Sequence, residues 1–360
     1  MKHIELFAGI GGFRKALDYF GTDYKIPMQC VGYSEIDIYA TKTYRANFNT
    51  ENEIEIGDII SFTSNKKNIE KLPDFDILTG GFPCQSFSMM GKQKGFQDVR
   101  GNVFFNIVQI IKIKKPKFLL LENVKNLLTH DNGDTIRIIE SEIRKAGYKN
   151  IHYGVFNTEN FGLAQKRNRL FIFATTEELP QDFIFNEKVI AENYRKNLKK
   201  TSLLKQTSTL DILQKEVDEK YYLSDTLKPT ILANGSKNFK SKSEINQLIA
   251  RPLTATMVKM HRACQDNYYS YEFLNSKKPL EYLKTPYTKE ELAKHRIRKI
   301  TPHEAFLLQG LNGNFVSNAM NAGLSNHQLY KQAGNAVSVN AVYSVLHYLF
   351  ITNNLIKHVL

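Results

Sequence analysis

Position 84 carries a cysteine whose surroundings suit nucleophilic chemistry. The segment Gly80-Gly81-Phe82-Pro83-Cys84-Gln85-Ser86-Phe87-Ser88 follows a predicted strand at Phe75–Thr79. A lone cysteine is more often an inert packing residue, but flanking glycines and a proline predict a fixed bend that faces a ligand. The loop that follows supplies cations that would favour a thiolate, and it could close over a bound substrate: Lys92, Lys94 and Arg100.

Glu122 is the candidate proton donor for such a nucleophile. It begins Glu122-Asn123-Val124, at the end of the most apolar predicted strand, Lys117–Glu122. A carboxyl group there suits general acid chemistry or merely ends the strand. Arg167 and Arg169 stand two residues apart before the predicted strand Leu170–Ala174. They would share one face and hydrogen-bond to an electronegative oxygen and a phosphate, or they would form ordinary surface charge.

A second group of residues predicts a nucleoside pocket. Phe7-Ala8-Gly9-Ile10-Gly11-Gly12 follows a strand and opens a helix, where glycines permit tight turns and close approach of a ligand. The spacing is not GxGxxG, so a dinucleotide is not favoured. Glu35 and Asp58 end the next two predicted strands. Glu35 could hold ribose hydroxyls, and Asp58 could accept a hydrogen bond from an adenine amino group.

These residues are positioned by an alternation of short apolar runs and amphipathic stretches over the first 175 residues, which predicts βαβ units and a mostly parallel sheet. Ligands bind such sheets beyond the carboxyl ends of the strands. The remaining predicted strands are His3–Phe7, Met28–Tyr33 and Ile151–Phe156. The predicted helices are Phe13–Phe20, Ile38–Phe48, Asn102–Lys114 and Gly133–Ala146.

The regular pattern stops after Glu178. Residues 181–297 predict an inserted, irregular module with weak strand signals at Tyr221–Leu223 and Arg251–Val258. Regularity returns with a predicted helix at Thr301–Leu308, capped by Thr301, and a last helix at Asn340–Ile351. We therefore predict one domain from residues 1–180 with 326–360, and a second from residues 181–325.

Composition narrows the class of protein. The 360 residues carry a net charge of +13, and residues 181–299 hold 23 Lys/Arg against 14 Asp/Glu. Such a region attracts nucleic-acid phosphates, or it is a solvated surface. The three cysteines, Cys30, Cys84 and Cys264, form no metal or disulfide motif. Without a signal peptide or an apolar run long enough to span a membrane, we expect a cytoplasmic, monomeric protein that binds no metal or membrane.

In order along the chain, these segments resemble the motifs of the bacterial cytosine-C5 DNA methyltransferases of restriction-modification systems. The resemblance rests on Phe7–Gly12, Glu35, Gly57-Asp58-Ile59, Pro83-Cys84-Gln85, Glu122-Asn123-Val124, Gln165-x-Arg167-x-Arg169, Arg298 to Gly310, and Gln332-Ala333-Gly334-Asn335-Ala336-Val337. The loop Gly91–Phe96 is similar to that of HhaI-type enzymes. The resemblance implies an α/β, Rossmann-like methyltransferase with a smaller, irregular, mostly-β target-recognition domain.

The resemblance also implies a role for each residue. Cys84 would add to C6 of a cytosine flipped out of double-stranded DNA, Glu122 would protonate N3, Arg169 would hold O2, and Arg167 would support the loop or the base. The methyl donor would be S-adenosylmethionine, leaving S-adenosylhomocysteine. Its implied binding residues are Phe7, Ala8, Gly9, Gly11, Gly12, Glu35, Ile36, Asp58, Ile59, Gly80, Pro83, Asn335 and Ala336. Those implied for DNA are Gln85, Ser88, Met90, Lys92, Arg100, Thr254, Lys259 and Arg262.

Two positions depart from the family pattern. Leu307 stands where many members carry Arg, which predicts that an ion pair supporting the backbone is missing. Ile36 replaces an aromatic residue often found beside the ribose-binding Glu, which predicts weaker stacking on adenine. Two alternatives remain open at this stage: methylation of cytosine in tRNA, and an inactive DNA-binding regulator on the same fold.

Overall fold

The computed structural model describes residues 1–83, 103–197, 201–235, 241–259 and 261–358. The chain forms two compact units. The first comprises Met1–Phe161, Asn168–Leu203 and Val337–Leu360, and the second comprises Gly162–Arg167 and Leu204–Ala336. The predicted boundaries after residues 180 and 325 lie earlier in the chain than the divisions after Leu203 and Ala336, and the prediction did not assign Gly162–Arg167 to the second unit.

A seven-stranded sheet forms the centre of the first unit, in the order β3-β2-β1-β4-β5-β7-β6. Strands β1 to β5 pair in parallel, whereas β7 runs antiparallel to β5 and β6. The mostly parallel sheet predicted from the sequence is therefore confirmed. The strands are β1 Lys2–Leu6, β2 Gln29–Tyr33, β3 Ile54–Glu55, β4 Ile77–Gly81, β5 Phe118–Val124, β6 Asn150–Asn157 and β7 Asn168–Thr175.

Helices cover the sheet, and the four predicted helices are confirmed. Phe118 to Leu121 of β5 are fully buried, as expected of a strand with both faces covered. The helices up to the second unit are α1 Gly12–Tyr24, α2 Ile38–Asn47, α3 Ile59–Thr63, α4 Lys66–Lys71, α5 Val103–Lys114, α6 Asp134–Lys145 and α7 Glu187–Asn197. Short 3-10 helices occupy Lys125–Leu128, His130–Gly133, Thr158–Phe161, Thr209–Asp211, Glu219–Tyr221 and Leu355–His358.

In its described part, the second unit has just two strands, β8 Tyr268–Ser270 and β9 Ile297–Lys299, which pair antiparallel. The prediction of a mostly-β module is thus wrong, although the module is irregular as expected. The β-branched residues of Arg251–Val258 suggested a strand, but this stretch forms coil and turns instead. The helices of the second unit are α8 Lys228–Leu232, α9 Tyr271–Leu274, α10 Pro279–Tyr282, α11 Lys289–Ala293, α12 Pro302–Leu307, α13 Gly313–Asn321 and α14 Asn326–Asn335.

A buried ion pair fixes the start of α12. Arg298 and Glu304 are both inaccessible to solvent, and the guanidinium donates to both carboxylate oxygens at 2.7 and 2.9 Å. Thr301 caps the helix as predicted, and Glu304 accepts from the backbone N–H of Thr301. Leu307 carries no charge, and the cation of this segment's buried ion pair is Arg298, from β9.

The chain ends in helix α15, Val339–His347, which continues as a π-helical turn at Tyr348–Thr352. It packs against α1 within the first unit: the rings of Tyr343 and Phe20 meet edge to face, and the Tyr343 hydroxyl donates to Asp23. The predicted last helix is confirmed. In the described ranges, no helix has both the length and the apolar character needed to cross a membrane.

Candidate active site

The turn after β1 is held by the carboxylate of Glu35. The N–H of Gly9 donates to Glu35 Oε2 at 2.7 Å, and Glu35 Oε1 accepts from Ile36 and Asp37 at 2.8 Å each. Phe7 and Gly9 have φ of +52° and +55°, so the turn departs sharply from the strand. A Cβ added at Gly9 would meet nothing within 4 Å. The turn therefore leaves space beside its backbone, as a bound cofactor requires.

Gly11 and Gly12 allow close packing around the start of α1. A Cβ at Gly11 would lie 2.3 Å from the ring of Phe48, and one at Gly12 would lie 2.6 Å from Val337. The N-terminus of α1 can approach its neighbours this closely only without side chains. Ala8 is likewise buried. These residues shape the turn, and any contact they make with a ligand would come from backbone atoms.

Asp58 caps α3 at the next strand end. Its carboxylate accepts from Ser61 Oγ at 2.8 Å and from the N–H of Ile60 at 3.0 Å. These hydrogen bonds, led by that of the Ser61 side chain, lower the pKa of Asp58, so its carboxylate stays ionised to a lower pH than usual.

Of the two neighbouring isoleucines after Asp58, only the second is exposed. The side chain of Ile59, predicted to contact cofactor, packs in the hydrophobic core, whereas Ile60 is 38% exposed. Ile36 is 73% exposed beside Glu35. Ile36 and Ile60 are therefore the apolar side chains that these two turns offer to a ligand, and the sequence had not singled out Ile60.

The candidate proton donor lies in an ion pair. Glu122 Oε1 is 2.9 Å from Arg169 Nε, and the two side chains are 12% and 19% exposed. β5 pairs with β7 such that Val124 stands opposite Arg169, which brings the guanidinium to the carboxyl end of β5. The structure thus places two of the four predicted catalytic residues together, at the edge of the sheet where ligands of parallel sheets bind.

Strand β4 adds the residues that lead to Cys84. Gly80 approaches β1 so closely that a Cβ would lie 2.9 Å from the carbonyl oxygen of Leu6. A Cβ at Gly81 would lie 3.3 Å from Glu122 Oε2. Asn123 donates to the carbonyl oxygen of Phe82 at 2.8 Å. Pro83 ends this described range. The predicted residues Cys84, Gln85, Ser88, Met90, Lys92 and Arg100 lie outside the described residues.

Arg167 does not share a strand face with Arg169, contrary to expectation. β7 begins at Asn168, and Arg167 belongs to the second unit. It is 1% exposed and donates to the carbonyl oxygens of Leu253, Gly334 and Ala336 at 2.7, 2.9 and 3.0 Å. Because its donors serve backbone carbonyls, Arg167 positions loops and its guanidinium is not available to a base.

The predicted DNA contacts of the second unit differ in their freedom to bind. Arg262 donates to Thr254 Oγ1 at 2.7 Å and pairs with Asp266 at 3.2 Å, so these two predicted contacts already bond to each other. Lys259 is exposed.

Two residues predicted to bind the cofactor lie at the end of α14. Asn335 ends the helix and is exposed, and the next residue, Ala336, is 7% exposed. Among the described residues, no cluster of His, Cys, Asp and Glu is arranged to hold a metal ion.

Comparison with known proteins agrees with this geometry. The model of the C-5 cytosine-specific DNA methylase family matches residues 1–350. The type II methyltransferase M1.ScrFI of Lactococcus lactis subsp. cremoris is 38% identical, over 96% of this chain and 76% of that protein. The type II methyltransferase M.NgoBI of Neisseria gonorrhoeae is 36% identical, over 95% and 90% respectively.

Solved structures share the fold. The Entamoeba histolytica methyltransferase EhMeth superposes with a TM-score of 0.70 at 22% identity, covering 97% of this chain and 98% of its own. The S. pombe Dnmt2 methyltransferase gives 0.69 at 18% identity, covering 98% and 99%. These likenesses confirm the α/β Rossmann-like fold. The family match confirms the resemblance found in the sequence: this chain belongs to the C-5 cytosine-specific DNA methylase family.

Proposed function

We propose that this protein transfers a methyl group from S-adenosylmethionine to carbon 5 of a cytosine flipped out of double-stranded DNA, with Cys84 as the nucleophile. The observation that carries the proposal is the pair Glu122–Arg169, 2.9 Å apart, beside the strand end that leads to Cys84 two residues after Phe82. Family membership supports the reaction class. The similarity to type II methyltransferases supports a role in restriction-modification.

The chemistry requires these residue types. Cytosine C5 is a weak nucleophile, so the Cys84 thiolate first adds to C6 and makes C5 electron-rich. Glu122 protonates N3 as the C6–sulfur bond forms, and Arg169 holds the O2 oxygen and orients Glu122 through their ion pair. After C5 has accepted the methyl group, loss of the C5 proton to solvent breaks the C6–sulfur bond and regenerates the thiolate, and N3 returns its proton to Glu122.

The first unit fits the proposed methyl donor. When bound, S-adenosylmethionine supplies the methyl group as an electrophilic sulfonium. Glu35 would accept from ribose hydroxyls, Asp58 from the adenine amino group, and the exposed side chain of Ile36 would cover one face of the adenine. The open space beside Gly9 would accommodate the donor next to the backbone of the turn.

A denaturation-resistant adduct tests the nucleophile. A duplex with 5-fluorocytosine at the target should trap the protein covalently, because fluorine cannot leave C5 as a proton does. Cys84→Ser should give no adduct and no incorporation of tritiated methyl groups into unmethylated plasmid, whereas Cys264→Ser, a matched control, should keep both. Undiminished incorporation of methyl groups by Cys84→Ser would contradict the mechanism. Incorporation into tRNA but not into DNA would overturn the substrate assignment.

A further inference from the structure

The second unit contains a pocket of about 280 Å³ whose lining includes Lys259, one of the residues that the family resemblance implies for DNA. Three lysines line it, Lys220, Lys259 and Lys299, together with Tyr221, Val258 and Tyr330. Among the described residues, no Asp or Glu contributes to the lining. The pocket thus combines three lysines with partly apolar neighbours, and we call it the lysine pocket.

The charges of the lysine pocket are poorly neutralised by the protein. Lys220 lies 3.4 Å from Asp218, but both side chains are 59% exposed, so solvent screens this pair. In the described part of the chain, no carboxylate lies within 4.0 Å of the ammonium groups of Lys259 and Lys299. The arginines of the same unit differ, since Arg262 pairs with Asp266 and Arg298 with Glu304.

Lys299 is the most telling of the three. It lies on β9 and is partly buried, and burial lowers its pKa. A partly desolvated cation without a counter-ion is unfavourable unless an anion from outside the chain completes the site.

Backbone strain supports the same conclusion. Val258, in the wall of the pocket, has φ of +65°, a conformation that a β-branched residue rarely adopts. Such outliers concentrate at functional sites and ligand clamps. Here the strained residue directly precedes Lys259 and is followed by His261, which also has positive φ, at +47°. The strained bend therefore carries Lys259, one of the lysines that line the pocket.

We propose that the lysine pocket binds a backbone phosphate of the DNA and so fixes the register of the second unit on the duplex. The inference rests on the proposed function, because it takes DNA as the substrate. Several lysines around a compact cavity suit the negative charge of a phosphodiester, and contacts to phosphate position a protein on a duplex without reading its sequence. The pocket would therefore contribute affinity and orientation, whereas sequence readout would lie elsewhere.

The salt dependence of DNA binding tests the pocket without knowledge of the recognition sequence. The probe is a short duplex of random sequence, followed by fluorescence anisotropy across a series of salt concentrations. Removing one lysine–phosphate ion pair reduces the slope of log K against log salt by about 0.9, which corresponds to about eightfold weaker binding at 0.1 M salt relative to 1 M. Lys259→Gln and Lys299→Gln should each show this reduction.

Matched variants separate a site from general charge. Lys284→Gln removes the same charge from an exposed position of the second unit outside the pocket and should leave the slope nearly unchanged. Lys299→Arg keeps the charge and should retain the wild-type slope, which guards against a folding defect of Lys299→Gln. Equal slopes for Lys259→Gln, Lys299→Gln and Lys284→Gln would overturn the proposal, as would a reduction confined to duplex RNA.

The two proposals can fail separately. If wild-type protein forms no adduct with 5-fluorocytosine DNA while the pocket variants show the reduced salt slope, the methyl-transfer mechanism is wrong and the phosphate site stands. If the adduct forms and the slopes do not change, the phosphate site is wrong and the mechanism stands.

Discussion

The side-chain amide of Asn123 donates a 2.8 Å hydrogen bond to the carbonyl oxygen of Phe82. Asn123 is 2% exposed, and its side-chain oxygen Oδ1 accepts from the N–H of Val124 at 2.8 Å. This side chain therefore ties the end of β4 to β5, between the proposed acid Glu122 and the residue two positions before Cys84. The bond links the two catalytic strands at their carboxyl ends.

Replacing this donor by an acceptor should weaken both stability and turnover. In Asn123→Asp a carboxylate faces the Phe82 carbonyl, and we expect a loss of roughly 1–3 kcal/mol in the free energy of unfolding, measured by urea denaturation. Methyl transfer should fall further than cofactor binding, because the entry to Cys84 shifts. Asn126→Asp, an exposed position on the same segment, is the control, and equal effects of the two variants would contradict the role of the bond.

Glu122→Gln keeps the shape of the side chain but removes its transferable proton and its charge. We expect methyl transfer to fall roughly one hundred- to ten-thousand-fold, the usual contribution of general acid–base catalysis. Binding of S-adenosylmethionine, followed by calorimetry, should stay near the wild-type level. Glu140→Gln, which loses a partly exposed pair with Arg144, should retain activity. A fully active Glu122→Gln protein would remove Glu122 from the mechanism.

Gly80 and Gly81 should fail in different ways when replaced by alanine. In Gly80→Ala the new Cβ meets the Leu6 backbone at 2.9 Å, so β1 and β4 are forced apart and stability should fall by about 1–3 kcal/mol. In Gly81→Ala it meets Glu122 Oε2 at 3.3 Å, and the carboxylate can give way. We therefore expect near-normal stability but at least about tenfold slower methyl transfer in single-turnover assays.

A matched glycine provides the control. At Gly154 in β6 an added Cβ would make only ordinary contacts, the nearest at 3.4 Å, so Gly154→Ala should change neither stability nor rate. If Gly81→Ala slowed the reaction no more than Gly154→Ala, the close approach of Gly81 to Glu122 would have no catalytic meaning.

The buried carboxyl group of Glu5 predicts how stability depends on pH. Desolvation raises the pKa of Glu5 from 4.5 to about 8, although Arg14 opposes the shift. Below pH 4.5 the carboxyl is protonated in both folded and unfolded chains. Above it the unfolded chain ionises first, so stability from this group is lost as pH rises through about 8. The free energy of unfolding should fall between pH 5 and 8 by up to about 1.4 kcal/mol per pH unit.

Glu5→Gln should flatten this pH profile in urea denaturation, whereas Glu290→Gln, at an exposed position, should leave it unchanged. His3 affects the free energy of unfolding at lower pH. Burial lowers the pKa of His3 to about 3, so its contribution to stability is lost as pH falls below 6.5. A profile of Glu5→Gln with the wild-type slope between pH 5 and 8 would contradict the assignment to Glu5.

Periodicity in the sequence was sufficient to predict most of the sheet, because the buried strands are continuous apolar runs. It placed a strand end near Asp58 but gave no range for β3, whose two residues, Ile54 and Glu55, are too few to form a pattern. Among the site residues, motif order identified Glu122 and Arg169, which lie side by side. It could not distinguish Ile59 from Ile60, because which isoleucine faces outward depends on how Asp58 caps α3.

Longer-range placement was beyond the local pattern. Asn123 bonds to a residue 41 positions away, and no local feature indicates that partner. Arg167 and Arg169 look equivalent as an i, i+2 pair, yet one anchors backbone carbonyls up to 169 positions away and the other meets a carboxylate. A side chain's destination in such cases is decided by tertiary packing, which spacing within a motif does not encode.

The two arginines should therefore respond differently to the same conservative change. Lysine cannot reproduce the planar set of donors with which Arg167 reaches three carbonyl oxygens. Arg167→Lys should destabilise the protein by roughly 1–3 kcal/mol through unsatisfied buried carbonyls. Arg169→Lys, at a partly exposed ion pair, should fold normally but slow methyl transfer by roughly tenfold or more, since a charged hydrogen bond contributes about 1.5–3 kcal/mol. Thermal unfolding and single-turnover methylation of both variants separate the roles, and a stable but inactive Arg167→Lys protein would restore Arg167 to the catalytic set.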